Sequence, residues 1–179
     1  SYILPCLQSH SPLDMLVIML GTNDCKERFS LTGANIALGM RRLVIKALGA
    51  DVWRDKPNIL IIAPGPILKE CENSAVGSNM GRCSDKSYKL SMEYKFVADE
   101  LKVGFFDAAP YVVMNDIDFM HLTADSHISL AKKVSEIIKE TLESYGYQLK
   151  KLILNASEYG NVPQNREPVS YTHLTLPTN

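Results

Sequence analysis

Short apolar runs alternate with longer amphipathic stretches along this chain. Leu13-Asp14-Met15-Leu16-Val17-Ile18-Met19-Leu20 is nearly all apolar and stops at Gly21-Thr22-Asn23-Asp24. A run apolar on both faces reads as a buried parallel strand, here over residues 14–20. Asn58-Ile59-Leu60-Ile61-Ile62-Ala63 repeats the pattern. Pro64-Gly65-Pro66 ends it, because proline supplies no ladder donor. Val103 to Ala108 is a third, shorter run.

Helical periodicity fills the gaps. Ser30 and Thr32 are candidate N-caps for a helix running to about Leu48, with Ile36, Leu38, Met40, Leu43, Val44 and Leu48 mostly on one face. Gly49 suits its left-handed C-terminal position. A second helix is expected from Ser84 to Leu101, burying Tyr88, Met92, Phe96 and Val97 and closed by Gly104. A third runs from Asp125 to about Leu142 on a stripe of Ile128, Ala131, Val134, Ile138 and Leu142. Residues 70–83 lack periodicity and read as a surface loop. Strand and helix alternate, which predicts an α/β/α sandwich with a parallel sheet.

Bulk properties narrow the picture modestly. With 179 residues, 46% of them hydrophobic, the chain suffices for one domain with a real core. Its 19 basic and 20 acidic residues are dispersed, so no basic stripe argues for nucleic acid or a membrane surface. No apolar run approaches the ~20 residues of a membrane span, no secretory leader is visible, and a cytoplasmic location is expected. Cys6, Cys25, Cys71 and Cys83 form no Cys-x-x-Cys pair, which points to reduced thiols and no metal or cofactor, with Cys71 and Cys83 as a chance pair.

The candidate chemistry sits where strands and loops end. Asp118-Phe119-Met120-His121 precedes the third helix. A carboxylate on one ring nitrogen of a catalytic His fixes its tautomer and steadies the imidazolium. The three-residue offset lets both side chains turn to the same side, and Thr123 or Asp125 would cap the helix and hold the loop. The same spacing also suits a surface turn with a solvated His121. At the end of the first strand, Asn23 is placed to point an amide N–H at a developing oxyanion, although Asn is equally at home in a plain turn. His127 reads as a helix-start residue, His10 as part of a loop, and Trp53 as a surface or interface aromatic.

Leu20-Gly21-Thr22-Asn23-Asp24 resembles the third conserved block of the SGNH hydrolases, and Asp118-Phe-Met-His121-Leu resembles their fifth. Ser9-His10-Ser11-Pro12-Leu13-Asp14, Lys26-x-x-Phe29 and Ile36-Ala37-Leu38-Gly39-Met40 are similar to the arylesterase and acyltransferase branch. The likeness covers roughly residues 1–142. It implies a flavodoxin-like three-layer sandwich, a Ser-His-Asp triad, small ester substrates and assembly into multimers. Carried over, Asn23 is the oxyanion donor, Asp118 the orienting acid and His121 the base. Phe119 and Met120 stand where other members often have Gly and Val or Ile. The family's Gly-Asp-Ser block lies several tens of residues before the Gly-Thr-Asn-Asp block, whereas Ser1 is only about twenty residues upstream. The expectation is an N-terminally truncated hydrolase domain over residues 1–143, missing its first strand and inactive for want of its serine.

The end of the chain reads differently. Tyr145-Gly146-Tyr147 interrupts the helix and Gln148 to Leu154 reads as a new strand. Residues 144–167, with Leu154-Asn155-Ala156 and Gln164-Asn165-Arg166, resemble the Gln-x-Arg region of DNA cytosine-5 methyltransferases. No Pro-Cys nucleophile motif accompanies them, so a working methyltransferase is not expected. Residues 168–179 read as the translation of a sequencing adapter and are set aside from fold reasoning.

Overall fold

In a computed structural model, which describes residues 2–153 and 169–175, β1 (Leu16–Ile18), β2 (Ile59–Ala63) and β3 (Gly104–Asp107) form a parallel sheet in the order β1-β2-β3. Leu16 pairs with Ile59, and Ile61 with Phe105. All five residues of β2 are buried, as its unbroken apolar run demands. The packing divides the chain into two compact units, Ser1–Leu130 and Ala131–Asn179.

In the first unit, α1 (Ile3–Ser9) precedes β1, and α2 (Gly33–Leu48) links β1 to β2. Thr32 caps α2: its hydroxyl accepts the Asn35 N–H while the Asn35 side chain accepts the Thr32 N–H. Ile36, Met40 and Val44 are buried along α2, whereas Leu38 is exposed. The segment 70–83 departs from its expectation. A 3-10 turn at Lys69–Asn73 and α3 (Gly77–Met80) replace the surface loop, and Cys71, Met80 and Cys83 are fully buried.

Helix α4 (Ser84–Leu101) follows and packs on α2 and on β2 and β3. Its ends match the sequence reading, but its buried face does not. Leu90, Tyr94, Val97 and Ala98 face the core, while Tyr88, Met92 and Phe96 are exposed at 55%, 56% and 65%. Serines explain the rotation. The Ser84 hydroxyl donates to Glu72, Ser87 to the Ser84 carbonyl, and Ser91 to Asp107. A hydrogen-bonded hydroxyl is tolerated inside, so three polar residues hold the inward face that the apolar trio seemed to claim. Lys102, not Gly104, takes the left-handed C-terminal position, with φ of 56°, and Gly104 opens β3.

Helix α5 (Ala124–Ser144) begins in the first unit. In the second unit, β4 (Gln148–Ile153) pairs antiparallel with β5 (Val169–Thr175), with a register shift between Lys150 and Lys151. The strand expected over Gln148–Leu154 is thus present. The tail set aside from fold reasoning contributes β5, in keeping with the strand propensity of Val169, Tyr171 and Thr172. Asn155, Gln164 and Arg166 lie outside the described residues. Among the described residues no helix is long and apolar enough to cross a membrane.

Candidate functional site

The turn after β1 is built around Gly21. Its φ is +124°, a region L side chains rarely adopt, and a Cβ there would stand 2.3 Å from the Tyr94 hydroxyl. That hydroxyl, from α4, donates to the Leu20 carbonyl at 2.9 Å. Gly21 therefore lets the chain end turn sharply under Tyr94. Burial of Tyr94 pushes its phenol well above the ordinary range, so it stays a neutral donor. A 3-10 turn at Asn23–Cys25 follows, with the Asp24 N–H on the Gly21 carbonyl and the Lys26 N–H on the Asn23 carbonyl.

The second wall is the loop before α5. The Asn115 side chain accepts the N–H groups of Ile117 and Asp118, both at 2.9 Å, and the Asn115 N–H donates to the His121 carbonyl at 2.8 Å. Thr123 caps α5 by accepting the Ser126 N–H, and buried Ser126 donates to Val113 across the base of the loop. The expected cap is thus Thr123 rather than Asp125. Phe119 sits in the left-handed region with φ of 61°.

Within that loop Asp118 and His121 meet. One carboxylate oxygen, Oδ2, lies 2.7 Å from Nδ1 of His121, and Oδ1 accepts the N–H groups of Met120 and His121. Partial burial raises the Asp118 carboxyl, but the His121 and Met120 N–H donors and the His121 ring outweigh it and bring it down to about 2. Asp118 is therefore ionised at neutral pH, and Nδ1 of a neutral imidazole carries the proton it donates. This leaves Nε2 of the exposed ring free to accept another.

Asn23, His121 and Met120 line one cavity of about 420 Å³, together with Thr22, Lys26 and His127. Met19, Met80, Met114 and Leu130 give it an apolar interior. Asn23 and His121 are thus brought to the same space, with Asp118 supporting His121 from beside it. No serine or cysteine belongs to the lining. Sequence reasoning treated His127 as a helix-start residue, Met19 as core and Asn79 as part of a loop, yet all three line the cavity. Trp53 is half-buried with its indole N–H on the Ala47 carbonyl, and His10 caps α1 beside Cys6. Among the described residues no group of three His, Cys, Asp or Glu is placed to hold a metal ion.

The native aryl esterase of M. smegmatis matches 78% of this chain at 30% identity, with a TM-score of 0.71, over 66% of its own length. Est24, a carbohydrate acetylesterase from Sinorhizobium meliloti, matches 78% at 34% identity, with a TM-score of 0.68, again over 66% of its length. The chain thus spans just under two thirds of each solved structure. The profile of C-5 cytosine-specific DNA methylases matches residues 125–174, well under half of the chain. Type II methyltransferase M.Bsp6I of Bacillus sp. (strain RFL6) is 53% identical over 34 residues, 19% of this chain and 11% of that protein.

Proposed function

Because this chain belongs to the SGNH family of aryl and acetyl esterases, we propose that its cavity carries the histidine, aspartate and oxyanion side of a serine esterase acting on small acyl esters. The observation that carries this reading is the Asp118–His121 pair at 2.7 Å, opening on a cavity that Asn23 also lines. In the reaction a serine hydroxyl attacks the ester carbonyl and passes its proton to Nε2 of His121. The Asn23 amide donates to the oxyanion so formed, an interaction worth about 10² to 10³ in rate. His121 then returns the proton to the departing alcohol, leaving an acyl-serine. Water, or a second alcohol in acyl transfer, releases the acyl group by the same steps in reverse.

The cavity has no serine in its lining, so the chain as given is expected to hydrolyse esters only at background rate. The test is to fuse a segment bearing a Gly-Asp-Ser block ahead of residue 1 and to assay a chromogenic acetate ester. Hydrolysis that His121→Ala removes supports the reading. An inert fusion, or one indifferent to His121→Ala, overturns it in favour of a catalytically dead α/β scaffold.

A second reading concerns residues 144–167, favoured by the methylase match over residues 125–174. We infer that this segment is a methylase-like piece joined to an esterase-type domain over residues 1–143, with residues 168–179 an adapter-derived tail. It carries no methyl transfer of its own. Sequencing the genomic template across residues 142–168 tests the junction, and an uninterrupted esterase there rejects it. A duplex-DNA shift assay tests binding; specific retention at high salt would favour a DNA-modifying role.

A further inference from the structure

We propose that the cavity selects esters bearing a negative charge, specifically the monoesters of short dicarboxylic acids, with Lys26 holding the free carboxylate. This rests on the reading of the cavity as an ester site. Among the lining residues Lys26 carries the only permanent charge, and neither Asp nor Glu is among them. The Lys26 backbone N–H donates to the Asn23 carbonyl, so two residues of the lining stem from a single turn.

Asp24, on the same turn, is exposed and outside the lining, and two further carboxylates nearby are occupied. Asp118 is held by His121 and two backbone N–H groups, and Glu27 by Arg82 at 2.6 Å. Asn79, also in the lining, has its Oδ1 taken by Arg28 at 2.7 Å, so it offers the cavity chiefly its NH2 group. An ammonium facing amide donors and imidazoles across apolar walls attracts an anion and repels a cation, more strongly than in open water. The methionines of the interior suit the methylene chain between the two carboxyl ends.

The chain is tested as it stands, since without turnover esters can be titrated to equilibrium. Methyl-labelled methionine is followed by NMR while monomethyl succinate or its shorter, uncharged analogue, methyl butyrate, is added. Met19, Met80, Met114 and Met120 report occupancy of the cavity. The expected result is about fivefold tighter binding of monomethyl succinate. That advantage shrinks as salt is raised and is lost in Lys26→Gln. Equal binding of the two esters, or an advantage that survives Lys26→Gln, overturns the role of Lys26 while leaving the cavity an ester site. No shift from either ester overturns this proposal and the ester-site reading together.

Discussion

Oδ2 of Asp118 takes Nδ1 of His121 at 2.7 Å while its sister oxygen takes the backbone N–H of the same histidine at 3.0 Å. One carboxylate thus fixes both the ring and the peptide that carries it. Asp118→Asn keeps the shape but permits the wrong tautomer. In a protein given a Gly-Asp-Ser segment, this change is expected to lower kcat by about 10³ to 10⁴ with little effect on KM. Steady-state kinetics on an acetate ester check it, and an unchanged kcat would remove Asp118 from the mechanism.

Acid should loosen the fold through two carboxylates. Ser84, chiefly, and Lys69 hold the Glu72 carboxyl down to about 2, and Asp118 also lies near 2. Both values are depressed below the unfolded ones, so the stabilisation is complete above about pH 5 and is lost as pH falls toward 2. Each contributes on the order of 1 to 2 kcal/mol. Urea denaturation between pH 6 and 2 should show the loss, and Glu72→Gln should flatten part of it.

Gly21 and Tyr94 are expected to be strongly coupled. Gly21→Ala forces a Cβ against the Tyr94 hydroxyl in a backbone region suited to glycine, a cost of about 3 kcal/mol or more. Tyr94→Phe alone loses one buried hydrogen bond, about 1 kcal/mol. In the Tyr94→Phe background, Gly21→Ala should cost clearly less than in the parent. A double-mutant cycle by urea denaturation measures the difference, and strict additivity would disprove the clash.

Phe119 holds a left-handed conformation with φ of 61° that costs a non-glycine residue about 1 to 2 kcal/mol. Its side chain also packs against the core, so the two effects oppose each other. Phe119→Ala loses the packing and keeps the strain, whereas Phe119→Gly relieves the strain as well. The glycine variant should therefore be the more stable of the two by about 1 kcal/mol, read from their thermal midpoints.

The thiols should separate sharply. Burial pushes Cys25 up to about 11 and Cys83 up to about 12, and raises Cys71 as well. Cys6 alone is partly exposed. At pH 8 a thiol reagent should modify one cysteine quickly and the other three only on unfolding. Rapid reaction of Cys71 or Cys83 would contradict the packing around α3.

Much of this arrangement was legible in the sequence, and the exceptions are instructive. An unbroken apolar run marked β2 because a central parallel strand is covered on both faces, whereas the run over residues 14–20 yields only Leu16–Ile18, with Leu16 and Val17 half-buried and Met19 and Leu20 exposed. Thr32 and the start of α4 were readable from local patterns. The inward face of α4 was not, since Ser84, Ser87 and Ser91 are satisfied by partners remote in the chain: Glu72, Ile67 and Asp107. Residues 70–83 looked like a loop because a four-residue helix has no room to show a period, and the buried Cys71, Met80 and Cys83 are spread over a 3-10 turn, that helix and the residue before α4. At the site, Asn23, Asp118 and His121 stood out by residue type and position. Lys26, Asn79 and His127 did not, because lining a cavity depends on tertiary packing that spacing does not encode.

The bond from Tyr94 to Leu20 spans 74 positions of sequence. Through it, the aim of the Asn23 amide is inherited from the seating of a helix that contributes nothing to the cavity wall. Substitutions along the Leu90, Val97 and Ala98 seam would then reach ester chemistry as misalignment rather than as a missing group. In a serine-bearing fusion, random substitution should find leverage on that distant seam as well as in the cavity wall.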